Sequence, residues 1–288
     1  MKSFKKYLPY IIFLAIVGIS LLLFLHVFKN LKKDPFLKVS FLDVGQGDAI
    51  FIQTPNKKQF LIDTGRDSKV LEALSKEMPF ADRSLDAVVL THRDIDHAGG
   101  LPSVFRNYKV AKIIESDVLI ESQNKEVEDF FNNVKSEKFL VSRGTKIYLD
   151  EENKIYLEIL FPDKSVPNKG LNENSIVSKL VFNKTSFLFT GDANIYSENL
   201  IMWVSKEGDI DVDILKLGHH GAKTSSGLLW LEKTSPSLAI ISAGKGNTYG
   251  HPHKEVLERL ENLKIPYLST FEKGNIVIKS DGLNFLQK

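Results

Sequence analysis

Thr91-His92-Arg93-Asp94-Ile95-Asp96-His97-Ala98-Gly99-Gly100 follows directly on the apolar run Leu85 to Leu90 and sets two imidazoles and two carboxylates within six positions. Histidine is scarce here, with seven copies in 288 residues, so this density asks for a chemical reason. A strand ending in a tight turn lets such side chains converge on one or two divalent cations. The ligand set is rich in oxygen, which tilts the metal toward Mn²⁺, although Zn²⁺ accepts the same groups.

Outward from this turn, other polar clusters also stand where apolar strands end. Thr190-Gly191-Asp192 closes the run Ser186 to Thr190, and its carboxylate is placed to bridge a pair of ions. Gly218-His219-His220-Gly221 closes Val212 to Leu217. Adjacent histidines point apart in most conformations, so one of the two ligates and the other faces substrate. His219 is taken as the metal candidate and His220 as the catalytic one, with the choice between the two left open. Tyr249-Gly250-His251-Pro252-His253 adds two imidazoles, with His251 pre-set in direction by the following proline. Asn172 to Ser175 and Asp43 to Asp48 are turns that would serve the mouth of the site.

The remaining pattern is strands interleaved with helices. Strand signals cover Lys38 to Phe41, Ala49 to Thr54, Gln59 to Thr64, Ala111 to Glu115, Lys146 to Leu149, Tyr156 to Phe161, Ser178 to Phe182 and Leu238 to Ser242. A final strand pair is expected at Tyr267 to Thr270 and Asn275 to Lys279. Helical spacing marks Ser68 to Lys76, Asn124 to Ser136 and Glu255 to Leu263. Two facing sheets with helices outside fit this order in one α+β domain of about 250 residues.

From Leu8 to Phe28 no residue carries a formal charge, and about 20 apolar residues suffice to cross a bilayer core. We read this as one transmembrane helix, an uncleaved anchor, because the run exceeds a signal-peptide core and Leu25-His26-Val27-Phe28-Lys29 offers no small-x-small cleavage site. Residues 1–36 are thus the anchor with its linker from Asn30, and residues 37–288 the domain that carries the chemistry. Lysines flank the run on both sides, so charge alone does not orient it. The absence of cysteine excludes thiolate ligands and a cysteine nucleophile, and suits an extracytoplasmic domain.

Residues 1–38 hold seven Lys against one Asp, a surplus of six inside a total of +2, which leaves −4 for the rest. A globally basic nucleic-acid surface is therefore excluded, and a polyanion would need a local groove or the metals, with Lys216, Lys223, Lys245 and Lys254 as nearby cations.

Taken together, these motifs resemble the metallo-β-lactamase fold superfamily, and within it the hydrolase domain of ComEC competence proteins. The resemblance runs from about residue 37 to 288 through Leu42 to Asp48, Leu61 to Gly65, Thr91 to Gly100, Asn174 to Val177, Thr190 to Asp192, Leu215 to Gly221 and Asn247 to His253. It implies a four-layer αββα sandwich. It also implies His92 and Asp94 at a first metal site, Asp96, His97 and one histidine of the His219-His220 pair at a second, and Asp192 bridging. Asp94 stands where the superfamily usually has histidine, and the usual third histidine of the first site has no counterpart near Asn174 and Ser175, so that site is expected to be the weaker.

The activity expected from the resemblance is phosphodiester hydrolysis of DNA, with Asp96, His220 and His251 catalytic and Asn174, Ser175 and His253 touching substrate. ComEC proteins carry a multi-helix channel, whereas one span is expected here, so any pore would belong to a separate channel protein. Two alternatives remain: a cell-envelope phosphoesterase similar to phosphorylcholine esterases, and a non-catalytic module holding a structural ion.

Overall fold

The computed structural model describes residues 2–31, 35–118, 120–164 and 170–287. It divides into two compact units, Met1–Pro35 and Phe36–Lys288.

The first unit is a helix over Lys2–Leu31. The side chains described in it are Tyr7 and residues 10–25, and the large apolar ones among them are exposed. Among the described residues no helix is long and apolar enough to cross a membrane, so the expected span is not found as such. Lys32 and Lys33 of the expected linker lie outside the described residues.

In the second unit the apolar runs become two sheets. The eight-stranded sheet has the order Phe285–Gln287, Ile276–Ser280, Leu37–Phe41, Ile50–Gln53, Gln59–Ile62, Ala87–Val89, Lys112–Ser116, Glu137–Val141. The seven-stranded sheet runs Tyr267–Ser269, Leu238–Ile241, Ile214–Lys216, Thr185–Phe189, Val177–Phe182, Ile155–Phe161, Lys146–Asp150. The last two expected strands therefore do not pair. Tyr267–Ser269 lies parallel to Leu238–Ile241, while Ile276–Ser280 crosses to the other sheet and pairs antiparallel with Leu37–Phe41. The short helix Thr270–Lys273 between them carries the chain from one layer to the other.

Alternation along each strand sorts side chains between two faces. Val39, Phe41, Ile50, Ile52, Ile62 and Val89 meet Leu157, Ile159, Leu180, Phe187, Phe189 and Ile214 between the sheets. Phe41 and Phe189 join the layers edge to face at 6.1 Å. The opposite faces take helices. Phe51, Leu61 and Val88 pack on Val70, Leu74, Leu101 and Val104. Leu188, Leu215 and Ile241 pack on Ile201, Trp230, Leu231, Val256 and Leu260. Each fully buried aliphatic or aromatic side chain contributes ~1.5–3 kcal/mol, so the four helix–sheet–sheet–helix layers close through many such contacts.

Gln59–Ile62, Ala87–Val89 and Lys112–Ser116 are mutually parallel, as are Thr185–Phe189, Ile214–Lys216 and Leu238–Ile241. Their carboxyl ends bring Asp63, the Thr91 turn, Asp192 and the His219-His220 turn to one edge of the sandwich. A rigid strand end aims a ligand better than a free loop, which is why this edge gathers the chemistry.

Candidate metal centre

One ligand atom each from Asp96, His97, Asp192 and His220 lies within 4.8 Å of the others. His97 Nε2 is 3.1 Å from Asp192 Oδ1, and His220 Nε2 is 3.2 Å from Asp96 Oδ2 and 3.5 Å from Asp192 Oδ1. These approaches are close but misaligned, so the buried atoms His97 Nε2, His220 Nε2 and Asp192 Oδ1 have no hydrogen-bond partner. A buried polar atom left unpaired costs ~1–3 kcal/mol, and three facing one spot fit a divalent cation. Two imidazoles and two carboxylates are the donor set that Zn²⁺ and Mn²⁺ accept.

Each imidazole is fixed from behind. His97 Nδ1 is 2.8 Å from Asp63 Oδ2, and Asp63 accepts in turn from Thr91 N at 2.8 Å and Thr91 Oγ1 at 2.7 Å. His220 Nδ1 lies 3.0 Å from the Ser242 carbonyl and 3.3 Å from Asp48 Oδ1. Asp48 is ion-paired with Lys216, which also donates to the Gly191 carbonyl at 3.1 Å. Carboxylate–histidine pairs of this kind fix the tautomer and ring orientation of a ligand. Asp48, Asp63 and His97 also cluster closely enough to suggest an ion of their own. Lys216 and Thr91 already occupy those carboxylates, so we read that cluster as the support of the first.

The loop carrying Asp48 reaches the Asp96 turn through a tight approach. Asp48 N donates to the Asp96 carbonyl at 3.2 Å, and Gly47, at φ +126, would place a Cβ 2.2 Å from that carbonyl oxygen. Any side chain at Gly47 would push the two loops apart.

At the third strand end, His219 and His220 both adopt left-handed backbone, at φ 47 and 56, followed by Gly221 at φ 83. Such conformations cost ~1–3 kcal/mol each in non-glycine residues and persist only where surroundings impose them. Here the exit of the turn is strapped down. Arg259 donates to the carbonyls of Lys223, Ser225 and Ser226, and Glu198 accepts from Ser226 N and Gly227 N.

This backbone separates the two histidines that the sequence left undecided. His220 is 1% exposed and turns into the ligand group, whereas His219 stays at the rim with Nε2 at 3.6 Å from Asp192 Oδ2. The two expected first-site residues do not join the group. His92 is buried with its ring 4.2 Å from His97 and its Nε2 unpartnered. Its Nδ1 faces Thr91 Oγ1 at 3.0 Å and Ser175 Oγ at 3.3 Å. The Asp94 carboxylate accepts from Ile95 N at 2.7 Å and caps the helix Ile95–Ala98. Among the described residues, the close group of donors is Asp96, His97, Asp192 and His220, with the unpartnered His92 Nε2 beside it.

The expected substrate contacts divide likewise. Ser175 is buried and its Oγ accepts from Asp192 N at 3.2 Å, a positioning contact. Asn174 Nδ2 donates to the Gly170 carbonyl at 2.7 Å. His253 Nδ1 accepts from Lys223 N at 3.2 Å and the residue precedes the helix Lys254–Asn262, so that nitrogen is turned toward the backbone. Lys216, named from sequence as a cation for a polyanion, is wholly buried against Asp48 and cannot reach one. His251 is half-buried and lines a cleft of about 110 Å³ with Gln46, Arg66, Asp94, Asp96, Asp192, His219, His220 and Tyr249. A larger cavity of about 760 Å³, lined by Lys179, Asp211 and Asp213, sits at the opposite strand ends and includes none of these groups.

Charge is balanced within the cluster by protons. Burial would push His97 down, but Asp192 and Asp63 outweigh it and raise it well above the usual imidazole range. His220 rises to about 9 against the same burial, through Asp192 and Asp48. Burial opposes ionisation of Asp192, yet His97 and His220 hold it well below the usual carboxylate range. At the rim the order inverts: burial and then His220 lower His251 to about 4, and burial lowers His219. His92, lacking a close carboxylate, falls to about 3 through burial.

Residues 42–245 match the family model described as the metallo-beta-lactamase superfamily. The chain is 31% identical over 257 residues to ComE operon protein 3 of Bacillus subtilis (strain 168), covering 83% of this chain and 32% of that protein. It is 31% identical over 275 residues to Recombination protein 2 of Haemophilus influenzae, covering 94% and 32%. The chain thus spans about a third of the length of these relatives. Among solved structures, the metallo-beta-lactamase fold protein YhfI from Bacillus subtilis superimposes with a TM-score of 0.57 at 13% identity, over 85% of this chain and 99% of that one, a likeness of fold alone. With its four layers and a histidine–aspartate centre at the carboxyl ends of both sheets, the chain belongs to the metallo-β-lactamase superfamily of metal-dependent hydrolases.

Proposed function

We propose that this chain is a metal-dependent phosphodiesterase acting on DNA. The observation that carries the reading is the convergence of Asp96, His97, Asp192 and His220 on one spot with their inward atoms unpartnered. The match to competence and recombination proteins supports nucleic acid as substrate.

A divalent cation, Mn²⁺ or Zn²⁺, would be held by those four residues and would supply Lewis-acid charge and an acidified water. The chain's own groups do the rest. Asp63 and Asp48 keep the two imidazoles turned inward. His219 and His251 stand at the rim, both lowered from the usual imidazole range by burial and His251 to about 4, and offer ring N–H donors to phosphoryl oxygens. Arg66, exposed on the same cleft, supplies a fixed positive charge for the phosphate. His92 and Asp94 lie beside the centre and would take a second, more weakly held ion after rearrangement of the Asp94 carboxylate.

The uncharged run Leu8 to Phe28 supports a membrane anchor. A cysteine-free domain suits an extracytoplasmic position. The −4 charge of the rest of the chain favours a second reading, a cell-envelope phosphoesterase with a compact substrate.

The test incubates the full chain, purified in detergent micelles with Mn²⁺ or Zn²⁺, with single- and double-stranded DNA beside Asp96→Ala. Metal-dependent cleavage by the parent alone is expected. Equal cleavage by both proteins refutes the assignment, and turnover of small phosphomonoesters without DNA cleavage selects the second reading.

A further inference from the structure

The metal cleft carries an aromatic group that hydrolysis itself does not use. Tyr249 lines the cleft with Asp96, Asp192 and His220, yet it is 58% exposed. Its ring stacks on His251 at 5.7 Å and 21°. The loop beneath is locked by one side chain: Asn247 Nδ2 donates to the Gly244 and His251 carbonyls at 2.9 and 2.6 Å. Its Oδ1 accepts from Tyr249 N and His251 N at 3.1 and 3.0 Å. Gln46 adds a second tether, accepting from Gly244 N at 3.2 Å with its amide nitrogen 3.5 Å from His251 Nδ1.

An exposed aromatic held this firmly has already lost the freedom that ligand binding would otherwise cost. Desolvating it is favourable only against a partner with a flat apolar face. The cleft of about 110 Å³ shares His251 with a cavity of about 460 Å³ and Asp94 and His219 with one of about 520 Å³, so a group attached to a phosphate in the cleft has room beside it, where Tyr249 offers an exposed ring. Arg66 shares the cleft with the carboxylates of Asp94, Asp96 and Asp192, so charge alone does not decide what lies over the ring. A quaternary ammonium would want several aromatic faces, whereas Tyr249 is the one Phe, Tyr or Trp on this cleft among the described residues.

We propose that Tyr249 is the platform of a nucleobase subsite, stacking a base of single-stranded nucleic acid next to the scissile phosphate while Arg66 contacts the phosphate. The subsite rests on the phosphodiesterase reading and names its substrate side. Stacking on a π-face is tolerant of base identity, so the subsite selects unpaired strands and not sequence. A paired base would have to leave its duplex to reach the ring, which sets single strands above duplexes.

Fluorescence anisotropy of the full chain in detergent tests this, with chelator present so that nothing is cleaved. The probes are an end-labelled oligothymidylate and the same backbone made of abasic tetrahydrofuran spacers. At ~1–3 kcal/mol per stacked base, the parent should bind the thymidylate about tenfold more tightly. Tyr249→Phe and Tyr249→Trp should keep that preference, and Tyr249→Ala should bind both probes alike. Arg66→Ala should weaken both probes equally and flatten the salt dependence by about 0.7 in log–log slope. Equal binding of the two probes by the parent overturns the subsite without needing any variant to fold, as does a preference that survives in Tyr249→Ala. Failure of the function reading is separate: the metal-loaded parent would then cleave no oligonucleotide of either kind.

Discussion

Lys216→Met is the most informative perturbation of the centre that leaves every candidate ligand in place. Lys216 and Asp48 form an ion pair with side chains 0% and 2% exposed, so solvent and salt screen it little. Methionine keeps most of the aliphatic stem and removes the charge. Asp48 is then left with His220 Nδ1 at 3.3 Å and His97 Nδ1 at 3.9 Å as its cationic neighbours, after burial that already opposes its ionisation. Breaking one side of a buried pair costs ~3–5 kcal/mol, because the other charge remains desolvated. Asp48→Asn should cost a similar amount, leaving Lys216 with the Gly191 carbonyl alone. The double variant removes both charges, so its loss should fall short of the summed single losses by at least ~2 kcal/mol. Chemical denaturation of the four proteins measures the cycle, and a titration with Zn²⁺ against a chromophoric chelator follows the ligand. Because Asp48 also orients His220, each single variant should bind the ion ~10–100-fold more weakly. Additive losses within ~0.5 kcal/mol, or unchanged ion affinity, would refute the view that this pair holds His220 in place.

His220→Ala should abolish tight ion binding while His219→Ala lowers affinity only a few-fold, measured by the same chelator titration; the reverse order would make His219 the ligand. Asp94→Ala should cost ~1 kcal/mol of stability through loss of a helix cap and leave the affinity of the tightly held ion within a few-fold, checked by denaturation and titration together. Ion uptake at pH 7.5 should release protons from His220, raised to about 9, and from His97, raised well above the usual imidazole range; calorimetry in buffers of different ionisation enthalpy counts them. In the metal-free protein the same shifts carry a sign. A histidine raised on folding stabilises fully below about 6.5 and loses that contribution as pH rises through its folded value, for His220 about 9, so metal-free stability should fall between pH 6.5 and 9 and a flat profile there would contradict the charge balance.

Local pattern made much of this molecule legible. The apolar runs ending at Leu90, Thr190 and Leu217 became strands because they must bury both faces, and the polar residues after them became the centre because strand ends aim side chains. What escaped depends on long-range pairing. Tyr267–Ser269 and Ile276–Ser280 are near in sequence and strand-like, yet their partners are Leu238–Ile241 and Leu37–Phe41, and nothing in their own composition distinguishes the two sheets. The helix Ile195–Val204 was unrecognised because Ile195, Leu200, Met202 and Trp203 spread apolar side chains around it instead of along one stripe. The choice between His219 and His220 turns on left-handed backbone that two identical neighbours cannot announce. Asp63 and Asp48 lay inside motifs already noticed, but their roles emerge only with His97 and with Lys216, far away in the chain.

The same contacts explain why the centre is lopsided. Asp63–His97 belongs to one sheet, His220 follows a strand of the other, and Asp48–Lys216 spans from the first sheet's loop to the second sheet's strand, so the tightly held side is built where the two layers meet. His92 and Asp94 hang from the first sheet alone, and Asp94 spends its carboxylate on its own helix. Substituting histidine for Asp94 would therefore not by itself complete a second site. An imidazole there would lose the helix cap and still lack a carboxylate or carbonyl behind it, whereas each ligand histidine of the formed site has one.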